Sequence, residues 1–271
     1  MTWRDVAYKD VNDASRSRTL WLLFGLLTVA FGGYAVAHGR IGEESFTAFV
    51  EVLAVDIVLP LVPLLGIFLG YRSIADDRAD GSALLTLSLP NSRRDLLAGT
   101  FAGRSVVLLV PSLLTLAAAG TVGAVLYGTD GALGFLWLLL ITALYGLAFV
   151  AVGVALSAVT TTERRITYGA AGGYLLLVYL WSGLVSFLLD FVHRFDGSVS
   201  SPDWVELLQL AQPSEAYLRL LRAGVDIDAA GQYVGPDSPL YIDWWTGLLL
   251  LVLWTVVPLA VAHRRFTSGD L

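Results

Sequence analysis

Six apolar segments, each about twenty residues or more and almost free of charge, decide what this chain can become. They cover residues 19–38, 52–71, 105–127, 131–159, 166–191 and 244–262, and Asp56 and Asp190 are the only acids within them, with no lysine or arginine. Crossing about 30 Å of hydrocarbon takes about 20 such residues in a helix. In lipid every backbone polar group needs an internal partner, which a helix supplies. The fourth segment exceeds that length, so it must tilt or stop short of these bounds. The expected fold class is all-α integral membrane, with a single transmembrane domain over 1–271.

Orientation follows from lysine and arginine, which concentrate in cytoplasmic connections. With the N-terminus inside, the inner connections hold thirteen basic residues and the outer ones only Arg40, Arg194, Arg219 and Arg222. Both termini and the 72–104 loop are therefore expected in the cytoplasm of a cell-membrane protein, with 192–243 outside. Trp21, Trp181, Trp244, Trp245 and Trp254 fall near expected span ends, as interfacial indoles do, although interior packing would serve each equally well. Ala35-Val36-Ala37 resembles a signal cleavage site, but the first apolar run is long for a signal and reads better as a retained span.

Composition excludes several function classes. Hydrophobic residues make up 56% of the chain and charged residues 15%, against about 25% charged in soluble domains. Without cysteine there are no disulfides or thiolate metal sites. Lys9 is the only lysine in a chain of net charge −6; that arginine-rich, acidic balance resembles salt-adapted prokaryotes. A phosphate-binding loop needs Gly-x-x-x-x-Gly-Lys-Ser/Thr, and Lys9 lacks those glycines. The chain is therefore not itself an ATPase and is expected to bind no cofactor, so any energy from ATP must come from another polypeptide.

Before the first span, Trp3, Val6, Ala7, Val11 and Ala14 recur at helical spacing with charges opposite, which predicts an amphipathic helix over 1–18 at the membrane interface or against a partner. Between spans two and three an acidic run with Asp76 leads to Gly81-Ser82, then to a leucine-rich stretch with Leu84 and Leu85, which Pro90 stops. Ser92 with Asp95 fits a capping box for another helix, giving a hairpin that presents leucines with Arg93 and Arg94. A leucine-bearing helix in cytosol fits a groove on a protein.

This loop resembles the signature loop of permease subunits in type 2, exporter-like ABC transporters. The amphipathic N-terminus, the six spans and the long excursion between spans five and six are similar to theirs as well. Ala79 and Thr100 stand where relatives often carry charge. The resemblance implies that residues 76–97 form a coupling helix docking on an ABC ATP-binding subunit. Asp76, Gly81, Leu84, Leu85, Pro90, Arg93 and Arg94 would be its contacts. ATP and magnesium would be held by that partner, and a second permease copy or paralogue would complete a dimer in the lipid bilayer.

The outer connection has 52 residues with eight acids and three arginines. Ser201-Pro202 and Pro213-Ser214-Glu215 start two short amphipathic helices, and Gly224 stops the second; they are expected at the outer surface, as an external gate or a plain lid. Asp56 is a pathway candidate, since a charge in a span is expensive, though near the span's outer end it can also reach water. Pro60 and Pro63 should kink the same span, as suits a cavity-lining helix. Gly169 with Gly173, and Gly120, Ala124 and Gly128, are spaced for close helix packing, expected within the chain. His38, His193 and His263 lack carboxylate spacing for a metal. A subfamily of such permeases serves copper-enzyme maturation, but one methionine and no cysteine leave this chain without soft ligands for copper(I). The competing class is a secondary transporter or channel not driven by ATP. Polar mid-membrane residues and internal repeats would mark it, and neither is evident; nor is the constellation of an intramembrane enzyme.

Overall fold

The computed structural model describes residues 2–41, 45–71, 73–75, 92–160, 162–195, 203–225 and 243–268, and every element among them is helical. Among the described residues six helices are long and apolar enough to span: Leu20–Arg40, Phe46–Ala75, Arg93–Tyr127, Ala132–Val159, Glu163–Phe191 and Trp244–Arg265. Spans two, three and four are 44%, 50% and 56% buried, against 22%, 17% and 22% for one, five and six. The middle three thus form the core, and the others are peripheral.

Small residues set that core. Gly66 and Gly70 of span two meet Gly146 and Gly153 of span four so closely that a Cβ at Gly70 would fall 2.7 Å from the Val154 amide nitrogen. Removing side chains lets backbones approach, which replaces the hydrophobic drive that lipid cannot supply. Spans three and four are joined by a tight turn at Gly128 and Gly131, whose φ angles of 95° and 83° lie in the left-handed region open to glycine.

Span three begins well before the apolar segment that marks it. Ser92 caps it, its hydroxyl accepting from the Asp95 amide at 3.1 Å while the Asp95 carboxylate accepts from the Ser92 amide at 3.2 Å. From there one helix of 35 residues runs to Tyr127. Residues 93–104 are therefore helical and continuous with span three. The leucine-rich arm and the residues Asp76, Gly81, Leu84, Leu85 and Pro90 lie outside the described residues.

The N-terminal helix, Trp3–Arg16, lies along these first turns of span three. Val6 packs where a Cβ on Gly99 would fall 2.5 Å from its own, and Asp10 packs equally close to Gly103. Asp10 is also paired with Arg104 at 3.0 Å. Instead of only lying on the membrane interface, the helix is fastened to span three by a glycine pair four residues apart.

Candidate functional site

Three spans leave regular α-helical pairing in short π-helical segments: Thr28–Gly32 in span one, Leu53–Val58 in span two and Leu176–Leu180 in span five. Such bulges free main-chain acceptors and favour functional sites. In span two the bulge is followed by Pro60 and Pro63. Proline has no N–H, so Pro63 cannot donate to the carbonyl of Leu59 four residues before it. Tyr145 of span four supplies the missing donor, its hydroxyl 3.1 Å from the Leu59 oxygen. The Pro60 carbonyl accepts from Tyr174 of span five at 3.1 Å. The two prolines are thus tied to spans four and five.

The polar groups between spans five and six go deep into the same region. Helices Asp203–Leu210 and Pro213–Gly224 form a hairpin that enters the bundle from the end opposite the N-terminal helix. Its tip, Gln212 and Ser214, is buried. Leu177, in the bulge of span five, accepts from Gln212 Nε2 at 3.1 Å and from Ser214 Oγ at 3.0 Å. Ser214 Oγ also stands 2.9 Å from the Tyr145 hydroxyl. Two hydroxyl hydrogens face three contacts here: with Tyr145 donating to Leu59 and Ser214 to Leu177, the two hydroxyl oxygens stand side by side with no hydrogen left to share between them. Fully buried Tyr217, stacked on Tyr145 with centroids 4.4 Å apart, reaches the Ala54 carbonyl of the span-two bulge at 3.4 Å.

Indoles hold the hairpin from three sides. Trp137 donates to the Leu220 carbonyl at 2.6 Å, Trp181 to Leu208 at 2.8 Å and Trp254 to Ala211 at 2.8 Å. Trp181 and Trp254 are therefore interior ties, while Trp21, Trp244 and Trp245 remain exposed near helix ends. Of the two short helices expected at the outer surface, Pro213–Gly224 packs between spans four and six, while Asp203–Leu210 keeps Leu207 and Leu208 exposed. Sequence reasoning missed Trp137, Tyr145, Gln212 and Ser182 as members of the site. Ser182 Oγ donates to Gln212 Oε1 at 2.6 Å and lies 3.4 Å from Glu215 Oε1. Burial pushes the Glu215 carboxyl above the usual carboxylate range, the Ser182 contact pulling weakly the other way.

The remaining candidates are placed as follows. Asp56 lies in the span-two bulge with its side chain exposed; Pro63 is buried and Pro60 half-buried. Arg93 and Arg94 open span three, the first half-buried and the second exposed. Buried His38 has Nδ1 2.6 Å from the Tyr34 hydroxyl and sits among Phe49 and Tyr127, as a packing residue does. The His193 side chain lies outside the described residues. Gly120 receives the ring of Phe135, as internal packing requires, whereas no atom lies within 4 Å of a Cβ placed on Gly173, so Gly173 does not serve packing within the chain.

The profile of a family described as ABC-2 family transporter protein matches residues 4–271. Among curated relatives, a protein named probable ABC transporter permease protein NosY from Pseudomonas aeruginosa is 31% identical over 274 residues, covering 96% of each chain. A protein of the same name from Stutzerimonas stutzeri is 28% identical over 277 residues, covering 97% of this chain and 96% of its own.

Proposed function

Because this chain belongs to the ABC-2 transporter family and is the membrane permease subunit of an ABC transporter, we propose that a separate ATP-binding subunit docks on residues 76–97 and drives it. The ATP-independent carrier is set aside by that family membership. ATP and magnesium would sit on the partner, since this chain has no phosphate-binding loop. The observation that carries the proposal is the continuous helix Arg93–Tyr127, which begins within the last residues of the proposed docking segment and runs on as span three. A push on its capped end, at Arg93 and Arg94, would act first on the turns to which the N-terminal helix is fastened, before Pro111 interrupts the hydrogen-bond ladder.

Two permease copies, or this chain and a paralogue, would enclose the pathway, covering part of the little-buried spans one, five and six. Asp56, Pro60 and Pro63 would face or shape that pathway, and the hairpin with its Gln212–Ser214 tip would close its outer half. Both termini would be cytoplasmic. Leu84 and Leu85 would supply most of the docking affinity, at about 1.5–3 kcal/mol per buried leucine, against about 1 kcal/mol or less for an exposed arginine pair. Leu84→Asp or Leu85→Asp should therefore release the ATPase during co-purification while the spans remain inserted. Stoichiometric ATPase in both variants, with turnover intact, would refute the docking assignment.

A further inference from the structure

The far end of span one, away from the N-terminal helix, is tied to span three through one hydroxyl. An α-helix pairs each amide with the carbonyl four residues before it, so Gly39 and Ala35 of span one are natural partners. Tyr127, the last residue of span three, stands at that rung. Its hydroxyl accepts from the Gly39 amide at 2.9 Å and donates to the Ala35 carbonyl at 2.7 Å. The ring lies so close that a Cβ on Gly39 would fall 3.0 Å from Cε1. When Tyr127 leaves, the two groups it serves can pair with each other. This tie therefore differs from the one between Tyr145 and Leu59, where Pro63 has no amide to take the tyrosine's place.

The groups around the tie are ones that water can serve. His38, 1% exposed, lies edge-on to Tyr127 with ring centroids 5.0 Å apart, and to Phe49 at 5.6 Å. Its Nδ1 meets the Tyr34 hydroxyl, but its buried Nε2 has no hydrogen-bond partner among the described residues. A buried polar atom without a partner opposes the closed arrangement, and water admitted at the end of the span would relieve it. Nearer the N-terminal helix, span one packs through buried Leu23 and Leu27, which offer water nothing to bond. Between the polar end and this apolar stretch lies the π-helical segment Thr28–Gly32, a feature at which helices bend.

We propose that Tyr127 is a releasable latch. The end of span one, Gly33–Ile41, swings away from span three about the π-helical segment and returns, while the rest of the span stays in the bundle. As the hydroxyl leaves, the rung closes on itself, the aromatic cluster is wetted and His38 becomes accessible. The latch is independent of the docking of an ATP-binding subunit.

The test uses the purified full chain in detergent and follows modification of His38 by diethyl pyrocarbonate, which acylates a neutral imidazole nitrogen that solvent reaches. Mass spectrometry of the peptide that contains His38 separates it from the other histidines. Tyr127→Phe keeps the ring against His38 and removes only the hydroxyl. It should raise the His38 rate about fivefold, as the loss of one net hydrogen bond implies. The unfolding midpoint should stay close to the parent's, unlike that of Tyr145→Phe. Backbone hydrogen exchange over 33–41 should stay slow, because Gly39 then pairs with Ala35. Gly39→Ala keeps the hydroxyl but crowds the ring, and should raise the His38 rate as well. Unchanged rates in both variants would overturn the latch. So would faster exchange across 33–41 together with the higher rate, since the span would then be fraying and not swinging as a helix. A midpoint loss in Tyr127→Phe as large as in Tyr145→Phe would also overturn it, making the tyrosine a fixed tie.

Discussion

The Tyr145 hydroxyl stands 3.1 Å from the carbonyl oxygen of Leu59, the acceptor that Pro63 leaves without an amide. A proline in span two and a tyrosine in span four are therefore one device, although 82 positions separate them in the sequence. Tyr145→Phe keeps the ring and its stacking on Tyr217 but bares that carbonyl. Leaving a buried acceptor unpaired costs about 1–3 kcal/mol, so the unfolding midpoint in detergent should fall. Pro63→Ala restores the amide, and in that background the same substitution should cost much less. A double-mutant cycle measures the difference, and additive losses would contradict the pairing.

The glycine pair on span three predicts how the N-terminal helix can be released. Gly103→Leu would push on Asp10 and strain its contact with Arg104, at about 1–3 kcal/mol for overpacking. A cysteine introduced by Val6→Cys should then react with maleimide faster than in the parent, where position 6 is buried against Gly99. Equal rates would mean that the helix is held elsewhere.

Glu215 makes seating of the hairpin depend on pH. Its carboxyl is raised above the ordinary value of 4.5 by burial, so the folded protein favours the neutral form. The sign follows: this contribution is fully present below 4.5 and is lost as pH rises through the folded value. Thermal stability measured upward from pH 4.5 should fall less steeply in Glu215→Gln than in the parent. Identical slopes would rule out this carboxyl as the source.

Sidedness has a direct test. Single cysteines at Ser82 and Ser198 should label from opposite faces of the membrane, Ser82 from the cytoplasm. Labelling of both from outside would overturn the orientation drawn from the arginines.

The spans were legible because twenty apolar residues without charge have few other uses, and the Ser92–Asp95 cap because its spacing is local. The hairpin was legible as two helices but not in depth. Helix starts at Ser201-Pro202 and Pro213-Ser214-Glu215 read the same on a membrane surface as between spans, and the three indoles and the Gln212–Ser214 tip fix the hairpin's place. Gly169 with Gly173 has the spacing of a packing pair, yet Gly173 faces open space and the pair in use is Gly99 with Gly103, which falls where the sequence reads as a loop. Spacing identifies a smooth helix face and leaves open which neighbour covers it.

The hairpin tip has a consequence for how the bundle can open. Gln212, Ser214 and Tyr217 occupy the main-chain oxygens of Leu177 and Ala54 in two bulged spans. Pulling the tip out strips those oxygens at a depth where hydrocarbon offers no donor, and each bare group costs several kcal/mol. Water or a polar cargo must replace the tip as it leaves, because a dry half-withdrawn state has nothing to solvate the backbone. Withdrawal of the tip would therefore couple opening to wetting, because the bulged spans leave main-chain oxygens that only the tip or water can serve.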